Sequence, residues 1–260
     1  MNLDLNGKYA LVTGGSHGIG LAIALELARE GCHVAICSRN PTRLAKAEEM
    51  LSGMNVKTLA LTADVLVPQD IEDVIDMVVS TWGTLHILVN NVGGGGRWGN
   101  PNVEETEDQV WLDVYGKNAL AAARFTMRAL PHMRKQQWGR VVSISSIYGK
   151  EGGGRPWFNM AKAAEMSLMK TLALNPNLVR DGITFNTVAP GSIMIPDTGW
   201  EEEKINNPIK FMQYVNEKCP LGRLGTPEEV ANIVVFLCSE KAGLLNGACI
   251  AADGGESRSF

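Results

Sequence analysis

Apolar residues in this chain follow two rhythms that alternate from one end to the other. Short, almost wholly apolar runs at 8–13, 33–37, 56–61, 86–89, 140–144, 183–188 and 248–251 predict strands buried on both sides. Between them, apolar residues recur every three or four positions and predict helices over 21–30, 40–52, 68–82, 105–133, 157–178 and 227–239. Gly31 stops the first helix, and residues 192–224 have no clean period. Strand and helix in strict alternation imply a parallel sheet, because each strand must return over a helix to lie beside the last. The expected fold is α/β: one domain over 1–260, built on a doubly wound, mostly parallel seven-stranded sheet with helices on both faces. The 192–224 stretch is expected to be a substrate loop. No linker, repeat or low-complexity segment divides the chain.

Composition narrows the field. Hydrophobic residues make up 45% and charged residues 20%, which suits a globular protein with a large core. A formal net charge of -4 offers no electrostatic reason to bind nucleic acid or an anionic membrane. The first residues lack the charged and apolar regions of a signal peptide, and no apolar run approaches the ~20 residues of a membrane span. The five cysteines are scattered without a CxxC pair, and the four histidines are equally dispersed. Reduced thiols, a cytoplasmic location and no metal site are therefore expected.

Candidate chemistry falls where the strands end. Thr13-Gly14-Gly15-Ser16-His17-Gly18-Ile19-Gly20 joins the first strand to the first helix. That order turns backbone N–H groups and a helix N-terminus toward a pyrophosphate. The second strand ends at Ser38-Arg39 without the acidic residue that grips a ribose 2′-OH, so NADP(H) is expected in preference to NAD(H). His17 is a further candidate phosphate neighbour. Phe158 and Lys162, four residues apart on one helix, project from the same face, and Ser145-Ser146 closes the strand before them.

These motifs, in this order and spacing, resemble the short-chain dehydrogenase/reductase family over essentially the whole chain. The general likeness is to 3-oxoacyl-carrier-protein reductases and to sugar or alcohol dehydrogenases. The resemblance implies a Rossmann-type dinucleotide domain and hydride exchange between a nicotinamide and a hydroxyl or ketone substrate. Gly14, Ser16, Gly18, Ile19 and Gly20 would line the pyrophosphate turn, with Asp64 and Val65 at the adenine. Asn90, Asn91 and Gly93 would pass the adenosine ribose, and Pro190, Gly191 and Ile193 would border the nicotinamide. Asn118 would hold a relay water, Ser146 would orient the substrate, and Lys162 would bind the nicotinamide ribose. Ser146 is preferred to Ser145 because Gly149 completes a Ser-x-x-Gly pattern, although Ser145 keeps the more usual distance to position 158. Relatives are commonly homotetramers or homodimers. They pair through the helices predicted at 105–133 and 157–178, where the Ala119–Ala123 run would permit close approach.

Two positions depart from the family pattern. Ile195 stands where a threonine is usual, and Phe158 stands where the family has its proton-donating tyrosine. Phenylalanine has no proton to give, and nothing in the spacing puts Tyr148 above the lysine. A deliberate Tyr→Phe exchange is the favoured reading, beside a natural variant with another acid and a natural protein without catalysis. With no general acid at 158, the chain as given is expected to bind cofactor and substrate but turn over poorly. The rival function is a cofactor-bound regulatory or scaffolding protein of the same fold. Arg97, Trp98, Arg155 and Trp157 are the candidate substrate contacts, which would suit a sugar, a nucleotide sugar or an acidic compound.

Overall fold

The computed structural model describes residues 2–259. The apolar runs become strands β1 (Tyr9–Thr13), β2 (His33–Ser38), β3 (Thr58–Thr62), β4 (Ile87–Asn90), β5 (Gly139–Ile144), β6 (Ile183–Pro190) and β7 (Cys249–Ala252). All six pairings are parallel, in the order β3-β2-β1-β4-β5-β6-β7. The order reverses between β1 and β4, so the connections leaving those strands part to opposite sides and open a crevice at their carboxyl ends.

Successive residues of a strand face opposite sides of the sheet, and each side has its own core. On one, Val12, Ile36 and Val142 meet α1 (Gly18–Arg29), α2 (Pro41–Ser52) and, late in the chain, Val230 and Val234. On the other, Leu11, Val141 and Phe185 meet α3 (Pro68–Trp82) and two later helices through Ile75, Val78, Phe125 and Met169. Burial on both faces explains why β4, β5 and β6 read as continuous apolar runs.

Three expectations about elements need correction. The helix expected over 105–133 is a 3₁₀ turn (Val103–Glu105), α4 (Asp108–Tyr115), a single π turn (Gly116–Leu120) and α5 (Ala121–Lys135). The Asn118 side-chain amide donates to the Val114 carbonyl at 2.7 Å, taking the acceptor that a regular helical ladder would use. The helix expected over 157–178 ends as α6 (Pro156–Ala173), because Pro176 excludes a helical conformation at Asn175. Asn175 instead caps the short α7 (Pro176–Val179). The supposedly aperiodic 192–224 stretch holds α8 (Gly199–Asn206), with no buried residue, and α9 (Pro208–Lys218), with two. So few inward positions leave no period to read. α10 (Pro227–Leu237) starts with a full capping box between Thr226 and Glu229.

All five thiols are free; Cys32, Cys37, Cys219 and Cys238 are buried and Cys249 is partly so. Burial pushes Cys32 and Cys37 up to about 12, and Cys238 higher still. Among the described residues no helix is long and apolar enough to cross a membrane, and no group of three metal-ligating side chains gathers.

Candidate active site

Three cavities that share walls lie along the carboxyl ends of β1, β2, β4, β5 and β6. The turn after β1 is locked from beneath. Thr13 Oγ1 donates to the Val89 carbonyl and accepts from the N–H groups of Asn91 and Val92. Asn91 Nδ2 returns bonds to the carbonyls of Thr13 (2.9 Å) and Gly14 (3.3 Å). Gly14 and Gly18 adopt φ of +67° and +56°, which favours glycine. Asn90 is the exception among the expected cofactor residues. Its Nδ2 points into the core and donates to Thr126 at 3.0 Å, so its side chain is turned away from the cleft.

The first cavity is basic. Ser16, Ser38, Arg39 and Val65 line it as expected, joined by Arg43 and Lys117. Ser16 Oγ donates to Ser38 Oγ at 2.8 Å, and Arg39 sits 3.6 Å from an Asp64 carboxylate oxygen. Burial holds the Lys117 ammonium below the usual lysine value, helped by Arg39 and Lys162 and opposed by Asp64. Sequence reasoning missed both added cations. Arg43 lies in the first turn of α2, four residues past Arg39, a spacing that usually means a solvent-facing charge; Lys117 lies in the π turn, which left no signal.

The second cavity runs from His17, Gly18 and Ile19 across Pro190, Gly191, Ile193 and Ile195 to Lys162. Burial and the Arg43 charge lower the His17 imidazole, with Asp197 opposing. The third is lined by Arg97, Arg155, Tyr148, Ser192, Trp200 and Glu256, among others. Glu256 accepts from the Ser192 N–H (2.6 Å) and hydroxyl (2.8 Å) and from the Tyr214 hydroxyl (2.8 Å). Burial, Glu256 and Glu151 all raise the Tyr148 phenol, making it a reluctant proton donor.

Ser146, Phe158, Gly191 and Trp200 belong to both the second and third cavities, so the two meet there. Ser145 Oγ donates to the Lys162 carbonyl at 2.8 Å, whereas Ser146 Oγ accepts from the Tyr148 N–H and stands at the junction. Asn118 grips the loop after β4, accepting from the Gly94 N–H (3.1 Å) and donating to its carbonyl (2.9 Å). Lys162 Nζ lies 5.8 Å from the Phe158 ring centre and donates to the Ile144 carbonyl at 2.9 Å. It also meets both oxygens of Glu165, at 3.0 and 3.2 Å, a residue that sequence reasoning missed. Burial pushes the Glu165 carboxyl up to about 7, with Lys162 and Ser145 pulling it back. Its placement three residues after Lys162, on the inward face of α6, was the available signal.

Two expected substrate contacts are corrected. Trp157 is wholly buried against Val114 and Ala161, stacked edge-on with Trp111, and its Nε1 donates to the Gly95 carbonyl. It supports the loop and meets no substrate. Trp98 lies outside all three cavities, beneath the Lys117 ammonium at 4.8 Å. Arg97 and Arg155 do line the third cavity, Arg97 over Trp200 at 5.7 Å and Arg155 donating to the Asn100 carbonyl.

These surfaces fit a nicotinamide dinucleotide. A methyl group built on Gly93 would lie 2.6 Å from Asn118 Oδ1 and 2.9 Å from Lys162 Nζ, so the loop passes the lysine as bare backbone. The site is thus that of a dinucleotide-dependent dehydrogenase on a doubly wound sheet. The family described as enoyl-(acyl carrier protein) reductase matches residues 14–257. A 3-oxoacyl-[acyl-carrier-protein] reductase of Aquifex aeolicus is 35% identical over 265 residues, covering 98% of this chain and 99% of that protein. The L-sorbose reductase of Gluconobacter frateurii, solved with NADPH and L-sorbose, superposes with a TM-score of 0.91 at 34% identity over 100% of both chains. A 7α-hydroxysteroid dehydrogenase solved with NADH superposes at 0.88 and 27% identity, over 99% of this chain and 97% of that one. The chain belongs to the short-chain dehydrogenase/reductase family, and with it to the oxidoreductases.

Proposed function

We propose that this protein is an NADP(H)-dependent reductase or dehydrogenase of a polar hydroxyl or ketone compound, and that Phe158 makes its turnover slow. The observation that carries the reading is the junction at Ser146 and Phe158. There a basic-ended dinucleotide groove meets a cavity bearing two guanidinium groups and a carboxylate. Bound nicotinamide would supply or accept hydride. Ser16 and Ser38 would bond a 2′-phosphate within the field of Arg39, Arg43 and Lys117, and no carboxylate at the end of β2 competes for a 2′-OH. The likeness to the NADPH-bound sorbose reductase favours the same choice.

Arg97, Arg155, Ser192 and Glu256 suit a substrate rich in hydroxyls or bearing an acid, such as a sugar or sugar derivative. Ser146 would orient its oxygen. No hydroxyl stands on the Phe158 ring, and burial with Glu256 and Glu151 raises the Tyr148 phenol, which makes it a poorer replacement. Losing a positioned general acid costs about 10²–10⁴ in rate, so slow turnover follows. We place the active protein in the cytoplasm. α4 to α6 would form its self-association surface, through the exposed Leu112, Leu120, Met127, Met160 and Leu174. Of the Ala119–Ala123 run, Ala119, Ala121 and Ala122 are buried within this chain, while Leu120 is exposed and Ala123 is partly so.

Calorimetric titration with NADP+ and NAD+, followed by a carbonyl panel read at the nicotinamide absorbance, tests the reading. Tighter NAD+ binding would overturn the cofactor choice. Reduction of plain apolar ketones alone would overturn the substrate class.

A further inference from the structure

Lys162 and Glu165 make an ion pair whose side chains are 5% and 1% exposed. An ammonium has three hydrogens. The Ile144 carbonyl and the two Glu165 oxygens offer one acceptor to each, all within the protein. A buried carboxylate is costly unless paired, and the other buried positions on this helix, Ala161, Met169 and Ala173 among them, are mostly apolar. The ammonium is buried as well, and it too is costly without a partner. Glu165 therefore answers to Lys162 and to nothing else on its helix.

We propose that Glu165 is a positioning residue acting through Lys162: it is the ammonium's resident counter-ion, and it cancels the field that the ammonium would exert on a hydroxyl at position 158. This rests on the reading that Phe158 occupies a proton donor's place. A positive charge 5.8 Å from the Phe158 ring lowers the cost of ionising a phenol there. A carboxylate 3.0 Å from that charge works against the effect. A chain whose native residue were tyrosine would be blunting its own acid. The pair is instead what a site adapted to phenylalanine would hold, contrary to a lone deliberate exchange.

The test is a phenol titration, which needs no substrate. Phe158→Tyr is prepared with Glu165 intact and also combined with Glu165→Gln, and the introduced phenol is followed by NMR of isotope-labelled tyrosine, subtracting the parent spectrum. The Glu165 carboxyl is ionised above about 7, so it carries its charge throughout the phenol's range. With Glu165 intact the phenol should titrate near the ordinary value of about 10. With Glu165→Gln its acid constant should rise at least tenfold, and Glu165→Asp should return it to the first value. His17, Lys117, Tyr148, Arg97, Arg155 and Glu256 face the same cavities and are common to all the variants.

A phenol already tenfold more acidic than usual with Glu165 intact would overturn the proposal. An unchanged value in the Glu165→Gln form would do the same. If Glu165→Gln does not fold, Glu165→Met removes the charge in an apolar form, and the measurement with Glu165 intact decides by itself. A titration that behaves as expected in variants that reduce no carbonyl compound would leave the ion pair standing and remove the reductase reading.

Discussion

Arg39 and Phe158 are where single side chains decide most. Arg39→Ala should weaken NADP+ about ten- to hundredfold, the range for one charge-assisted phosphate bond, and leave NAD+ nearly unchanged. Calorimetry with both nucleotides checks it, and an equal loss for both would move the 2′-phosphate elsewhere. Phe158→Tyr should raise turnover of the best carbonyl substrate, but by less than the full ~10²–10⁴ of a general acid while Glu165 remains. Stopped-assay rates in the single and double variants read that difference. Ser146, Lys162 and Asn118 were legible in the sequence because their neighbours carry fixed spacings. Glu165 and Arg43 were not, since a charge one helical turn along usually faces solvent, and only packing says otherwise. The same blindness put Trp157 in the substrate pocket when its ring fills the wall behind it.

The π turn between α4 and α5 and the glycine loop after β4 form one device. Asn118 holds Gly94 and Trp157 holds Gly95, so side chains from two separate elements set the path of the Gly93–Gly96 stretch, which has no side chains of its own. Trp157→Ala should cost about 3–5 kcal/mol of stability, the usual range for a buried tryptophan, read by urea unfolding. It should also raise the substrate KM more than it lowers kcat, because the loop borders the cavities while Phe158 and Lys162 keep their helix. Seven strands and most helices could be read from periodicity, since burial on one or two faces writes itself into the pattern. The breaks in the long helices could not, because they arise from a side-chain hydrogen bond at Asn118 and a steric conflict at Pro176. Residues 192–224 hid two helices for the opposite reason: surface helices with so few inward residues carry almost no pattern.

For the molecule as a whole, acid and association are the accessible probes. His86 packs against Tyr9 and Trp138, and its Nδ1 accepts from the Tyr9 N–H. Burial, with help from Lys8, lowers its imidazole to about 4. The unfolded chain, with an ordinary value near 6.5, takes up that proton first. Stability from this group is therefore whole above about pH 6.5 and lost as pH falls toward 4. After allowance for partial exposure the loss is about 1–2 kcal/mol; urea midpoints near pH 7 and pH 5 should show it, and His86→Asn should flatten the difference. Light scattering at micromolar concentration should find a dimer or tetramer, and a charge at the exposed Met127 should shift it toward monomer. The five free thiols, four buried and one partly so, bear on a different question, that of how the fold comes apart. A thiol that burial holds protonated reacts with a disulfide reagent only after the segment around it opens. Cys219, at the end of α9, would report the breathing of that helix and Cys249, on the edge strand β7, that of the sheet edge, while Cys32 and Cys238 would wait for the whole sheet. Cys37 lines the dinucleotide cavity, so its labelling rate, taken with and without nucleotide, is a built-in clock for how far a bound cofactor holds the two halves of the sheet together.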